Sequence, residues 1–378
     1  MRSVARTSIA VLIASALIVI GLIWDISWHR SVGRDTFWTA PHLVEYVAAL
    51  IVGTTCGWLI LRSTFRGTEE ERGQMVRFWG FRGPLGAWAA VWGSLAMLVS
   101  APFDDWWHNA YGLDVRIVSP PHILLGIGMM GIAVGAMLMT LAEQNRSSRN
   151  VERFAIFFAI STAILLLLRA TMTFEYTGFP NLWRGRPFYL ISAAVFPVLL
   201  ASVARAGRLR WPATATAGLF MLASLTLSWV LQLVPATPRL APINNPITHL
   251  VAAPFPVALI VPALLFDFLY RRFGSGRDWR LALLLGAGFV LAFLAVSWPL
   301  SGFLLSPAAR NGVFLADQWD YIAGPGAYRH EFWERLSSAR AQFPPASIAT
   351  ALLLAALLGA ASSRIGLALG GWMRKVQR

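Results

Sequence analysis

Apolar residues in this chain fall in long runs, broken by short polar connections. Ten such runs can be read: Ser8–Trp24, His42–Leu61, Leu85–Ala101, His122–Leu141, Phe154–Phe174, Phe188–Ala204, Ala213–Leu233, His249–Leu269, Leu281–Leu304 and Ser347–Leu369. Each is close to the ~20 residues with which an α-helix crosses a hydrocarbon core of roughly 30 Å. The pattern predicts an all-α fold, a polytopic membrane helix bundle of about ten transmembrane helices lying in the lipid bilayer.

Composition agrees with that reading. Apolar residues make up 57% of the chain and charged residues 13%, with a mean hydropathy of +0.59. A soluble domain needs more charge than this to cover its surface. The net charge of +14 raises nucleic acid as a partner, but its distribution argues against one. Arginines gather in alternate connections: Arg2 and Arg6; Arg62, Arg66, Arg72, Arg77 and Arg82; Arg146, Arg149 and Arg153; Arg205, Arg208 and Arg210; Arg271, Arg272, Arg277 and Arg280; then Arg374, Lys375 and Arg378. That is the positive-inside pattern of a protein in the cytoplasmic (inner) membrane with both termini cytoplasmic. The small-residue stretch Ala14–Ala16 lies mid-run, where signal-peptide cleavage sites do not belong, so the first helix is expected to be retained. Cys56, the single cysteine, excludes a disulfide framework or a cysteine-rich metal site.

One polar paragraph is written twice. In "WDISWHRSVGRDTFWTAPHL" Asp25 precedes His29 by four residues, and in "FDDWWHNAYGLDVRIVSPPHIL" Asp104 precedes His108 by four. Each of these histidines follows a tryptophan, Trp28 or Trp107. A glycine comes four residues later, Gly33 or Gly112, and an aspartate two beyond it, Asp35 or Asp114. Each copy ends in Pro-His at the head of the next apolar run, Pro41-His42 and Pro121-His122. The repeated unit is a helix, a polar outer turn and a returning helix.

Residues four apart share a helix face, with β-carbons about 5–6 Å apart, so Asp25 points with His29 and Asp104 with His108. The returning helices open on Thr39-Ala40-Pro41 and Ser119-Pro120-Pro121, cap-and-proline starts that place His42 and His122 in a first turn. Two imidazoles and a carboxylate then form a three-ligand metal set. Imidazole suits copper, zinc, iron and nickel alike. A single histidine at a helix end is ordinarily a cap or interface residue. Four of the six histidines in two matched sets, each with an aspartate at bilayer depth, favour ligands. Asp35 and Asp114 either orient imidazole N–H groups or form the turn after glycine. Both sets are expected on one side of the membrane, the external or periplasmic one, on the order of 10 Å apart.

At these residues the chain resembles the C subunit of copper membrane monooxygenases, the family of particulate methane monooxygenase and ammonia monooxygenase. That subunit's first site, an aspartate with two histidines, is matched by Asp25, His29 and His42. Its second, an asparagine with two histidines, is matched by Asp104, His108 and His122, with aspartate standing where the family has asparagine. The resemblance covers Trp24–Leu141, about a third of the chain. It implies copper at up to two sites, O2-dependent hydroxylation of a small substrate, and partner subunits of the monooxygenase type. Two alternatives use the same residues: a copper storage or delivery protein without redox catalysis, and a di-haem electron carrier with His29, His42, His108 and His122 as axial ligands. The aspartates count against haem.

The remaining features read as structural. Residues 1–145 form a metal-site region of two repeated hairpins, and residues 146–378 hold six further spans with a long external loop at 306–345. "DQWDYIAGPGAYRHEFWERL" in that loop suggests a short surface helix, with His330 and Glu334 as an exposed pair. "NNPITHL" reads as the cap of the eighth span, with His249 at its start. Arg62–Pro84, with Glu69, Glu70 and Glu71 among arginines, reads as a solvated loop. The arginine alternation makes topology directly testable: reporter fusions after Asp35, Asp114 and Asn311 should read external, and fusions after Arg72 and Arg277 cytoplasmic.

Overall fold

The structure, a computed structural model, describes residues 2–112, 119–316, 318–323 and 345–377. Asp114, His330 and Glu334 lie outside the described residues. Within them the protein is an all-α polytopic bundle in which nine helices are long and apolar enough to cross a membrane. In chain order the helices are α1 (Arg2–Ser31), α2 (Ala40–Arg66), the single turn α3 (Glu69–Gly73), α4 (Leu85–Tyr111), α5 (Pro120–Arg146), α6 (Val151–Met172), the short α7 (Phe174–Thr177), α8 (Arg186–Ala206), α9 (Pro212–Leu231), α10 (Ile260–Phe273), α11 (Asp278–Leu304) and α12 (Pro345–Met373). A small antiparallel hairpin, β1 (Val76–Phe78) and β2 (Phe81–Gly83), precedes α4. Two compact units result: Met1–Asp25, Asp35–Leu168 and Lys375–Arg378 in the first, Ile26–Arg34 and Arg169–Arg374 in the second.

In the first unit α2 packs on α4, and α4 packs closely on α5. Membrane helices gain little from hydrophobic transfer when they meet, so they associate through close van der Waals contact, which small residues permit. Here the contact is glycine on glycine. A β-carbon on Gly93 would stand 2.6 Å from the Gly128 carbonyl oxygen, and one on Gly86 would stand 2.6 Å from the Gly135 carbonyl oxygen. Both pairs are seven residues apart on their helices, two turns of one face. At the α2–α4 contact the Ser94 hydroxyl donates to the Ala49 carbonyl at 2.7 Å.

The connection after α2 is more ordered than a solvated loop. Thr68 and Glu71 form a reciprocal capping box on α3, and the hairpin turns on Trp79 and Gly80, both at positive φ. Its aromatic residues, read singly, look like scattered loop positions; paired across a ribbon they become one surface.

The second unit departs from the expected eighth span. His249 begins no helix but forms a β-bridge with Pro235, and the chain runs without helix from Leu250 to the turn at Leu259, where α10 starts. Pro254 and Pro256 account for this, since each removes an N–H donor and disfavours helical backbone at the residue before it. Non-helical backbone in apolar surroundings survives only where protein or trapped water satisfies it, and at residues 251–253 side chains do so. Ser31 accepts from the Val251 N–H at 2.6 Å, and Ser27 donates to the Val251 carbonyl at 2.7 Å. Arg30 donates to the Ala252 carbonyl and Ser228 to the Ala253 carbonyl. The Arg30 guanidinium also pairs with Asp320 and donates to the Gln318 carbonyl.

The glycine interface yields a paired test. Gly93→Ala forces backbone apart and should lower thermal stability by about 1–3 kcal/mol, the ordinary penalty of overpacking. Gly57→Ala, on α2 where nothing lies within 4 Å of a new β-carbon, should be neutral or stabilising because alanine favours helix. Detergent-solubilised melting curves of the two variants check this.

Candidate metal centres

Two groups of titratable side chains, both in the first unit, bring their ligand atoms within 4.8 Å of one another: Asp25, Asp35 and His42, and Asp104, His108 and His122. Each is assembled at the junction the repeat predicted, where one helix ends and a returning helix begins.

In the first group Asp25 stands on α1 and His42 in the first turn of α2. Thr39 occupies the N-cap position of α2 but makes no side-chain cap bond; its hydroxyl instead accepts from the Thr36 N–H at 2.7 Å and braces the loop. That loop presents the Thr36 carbonyl 3.0 Å from His42 Nδ1. A carbonyl only accepts, so Nδ1 carries a proton. Nε2 then faces Asp25 Oδ1 at 3.2 Å and Asp35 Oδ2 at 3.5 Å. One imidazole nitrogen and two carboxylates therefore converge, and only a proton or a metal cation satisfies all three. The side chains are 17–19% exposed.

In the second group Asp104 and His108 lie one turn apart on α4, and His122 starts α5. His108 Nε2 is 3.3 Å from Asp104 Oδ2, and His122 Nε2 is 3.6 Å from Asp104 Oδ1. The Ser119 hydroxyl caps α5 by accepting from the His122 N–H and stands 2.9 Å from His122 Nδ1. The same residue thus starts the helix and orients the ring. Among the described residues, the buried atoms Asp104 Oδ1 and His108 Nδ1 find no hydrogen-bond partner. A buried carboxylate oxygen without a donor is costly, and a cation between the imidazoles would satisfy it. The residues therefore fit a first-row metal ion through a carboxylate–imidazole donor set.

The two copies of the repeat are not used identically. The first group takes in Asp35 and does not include His29, which follows Asp25 by one turn on α1 and belongs to the second unit. Asp35 approaches His42 on the Nε2 side, because the Thr36 carbonyl already occupies Nδ1. Gly33 and Gly112, the repeat's paired glycines, both take positive φ just past a helix end, backbone that glycine adopts without the cost a side chain would bring.

Sequence reading missed two residues beside the first group. Glu45 is 4% exposed, three residues beyond His42 in α2. It fits because α1 carries glycine opposite: a β-carbon on Gly21 would stand 2.6 Å from Glu45 Cγ. A lone acid inside an apolar run was the available signal. Tyr46 packs 6.2 Å from the His42 ring and 5.1 Å from the Phe37 ring.

Comparison with protein-family models, curated proteins and solved structures finds no match to this chain. Ser119→Ala tests the orientation of the second group. Losing the ring's partner should weaken its metal affinity 10- to 100-fold, with a helix-cap cost of about 1 kcal/mol. Competition with a chelator and a melting curve report the two effects separately.

Proposed function

We propose that this chain is a metal-binding integral membrane protein that takes up to two first-row ions, with copper preferred, and acts as a subunit of an O2-dependent membrane monooxygenase working on a small substrate. The observation that supports this reading best is the paired carboxylate–imidazole groups at equivalent junctions of a repeated helical hairpin. Copper rests on the resemblance of those repeats to the C subunit of copper membrane monooxygenases, and on the affinity of imidazole for that metal.

Asp104, His108 and His122 would hold one ion, and Asp25, Asp35 and His42 the other, with His29 one turn along α1 from Asp25. When bound, copper supplies the one-electron couple through which O2 is activated. The protein's part is to hold charge and orientation. Asp25 and Asp35 together offset a divalent ion, while Asp104, the one carboxylate of the second group among the described residues, offsets a single charge. The Thr36 carbonyl and the Ser119 hydroxyl keep the imidazole rings turned inward.

Metal analysis of purified protein titrated with copper tests the reading. Two equivalents are expected, and His42→Ala and His108→Ala should each remove about one. Unchanged copper content in both variants would refute the sites, and absorbance in the haem Soret region would favour the electron carrier. Two bound Cu(II) ions about 10 Å apart, the spacing of neighbouring helices, should broaden each other's paramagnetic resonance signals. Full occupancy with no O2 uptake in the presence of a reductant would leave copper storage or delivery as the function.

A further inference from the structure

The hairpin between α2 and α4 has the chemistry of a lipid-headgroup site. Its register places Arg77 opposite Arg82 and Phe78 opposite Phe81. Directly opposed residues project from the same face of a ribbon, so this ribbon has an aromatic face and an arginine face. The aromatic face rests on helices: Phe78 lies edge-on to Trp88 at 5.4 Å, and Phe81 lies edge-on to Phe65 at 6.2 Å. Trp88 Nε1 donates to the Val76 carbonyl at 3.3 Å, and the Arg82 N–H donates to the Thr64 hydroxyl at 2.8 Å. The ribbon is therefore pinned to both helices rather than swinging free.

Three features of this arrangement are unfavourable in water. Like charges directly opposed across strands repel, and Arg77 faces Arg82. Trp79 sits at φ 47° in a tight turn, where asparagine or glycine is the usual choice. Its side chain is nevertheless 77% exposed, in a patch with the exposed Phe65, Phe78, Phe81 and Trp92. A bilayer surface relieves the charge repulsion and the exposure, by supplying phosphate to the arginines and an apolar boundary to the indole. Trp79 reaches the Trp92 ring, 5.7 Å away. Trp92 lies seven residues into α4, roughly 10 Å from its start. The tip thus lies beside a transmembrane helix at the level of Trp88 and Trp92, and tryptophan concentrates at the boundary between headgroups and acyl chains. Of the acids on the neighbouring turn α3, Glu69 pairs with Arg72 and Glu71 closes the capping box. Arg82 Nη1 donates to the Arg72 carbonyl, while Arg72 Nε has no hydrogen-bond partner among the described residues.

We propose that the Val76–Gly83 hairpin is a binding site for an anionic phospholipid, with Trp79 seated at the acyl boundary and the Arg77–Arg82 face holding the headgroup phosphate. Guanidinium forks match phosphate oxygens in geometry as well as charge, and a bound phosphate turns the opposed arginines from a repulsive pair into a clamp.

Reconstitution into nanodiscs tests this independently of the metal sites. The full chain in discs containing phosphatidylglycerol should melt several degrees higher than in phosphatidylcholine alone, and native mass spectrometry should show retained phosphatidylglycerol. Arg77→Ala and Trp79→Gly should fold in neutral detergent with melting temperatures equal to or above that of the unsubstituted chain, because each relieves an unfavourable feature. Each should nevertheless lose at least half of the phosphatidylglycerol gain. Absence of any gain in the unsubstituted protein, or a full gain in both variants, would overturn the proposal. Inorganic phosphate that reproduces the gain in phosphatidylcholine discs would also overturn it, by showing a site for soluble anions.

Discussion

A lipid chain can neither donate nor accept a hydrogen bond, and the placement of polar groups in this protein follows from that constraint. Where the backbone leaves the helical state at membrane depth, something else must serve its N–H and C=O groups. In the second unit that need is met at Val251, Ala252 and Ala253 by Ser27, Arg30, Ser31 and Ser228, each supplying one bond that a helix would have made for itself. Proline creates the demand, and residues far away in sequence answer it.

The same constraint gives the carboxylates their meaning. Asp25, Asp35, Glu45 and Asp104 cannot be left without counter-charge or a hydrogen bond in so apolar a chain. His42 faces Asp25 and Asp35, and His122 faces Asp104, each with its outer nitrogen held by a local group, the Thr36 carbonyl or the Ser119 hydroxyl. The rings cannot rotate away without losing those bonds, so their Nε2 atoms stay directed at the acids. Small residues make the approach close enough, with Gly21 opposite Glu45 and the glycine pairs of α4 and α5. Packing and electrostatics are one device here, since bulk at either contact would move the donors apart.

At the connection between α2 and α4 the constraint operates from outside. Aromatic side chains and arginines stand together on a ribbon too small to be stable by itself, and Thr64 of α2 and Trp88 of α4 hold it in place. Its exposed apolar surface is an expense in water and ordinary at a headgroup layer.

Much of this was legible in the chain. Run length and scarcity of charge determine a polytopic helical membrane protein, because no other backbone arrangement spans lipid with such residues. The doubled Asp-x3-His pattern with its distal Pro-His determines that both copies build helical hairpins with polar junctions, since spacing of four and a proline start are local properties. What the sequence could not decide is which donors meet. Asp35 joins Asp25 and His42 because of how the Thr36–Thr39 loop folds back, and a loop's path depends on contacts no local spacing encodes. The broken eighth span was signalled by its prolines, yet hydropathy outweighs them until one sees that distant serines and an arginine satisfy the freed backbone. The amphipathic ribbon was hidden because strand pairing, which sorts Phe78 with Phe81 and Arg77 with Arg82, exists only once the turn at Trp79 brings the two segments together.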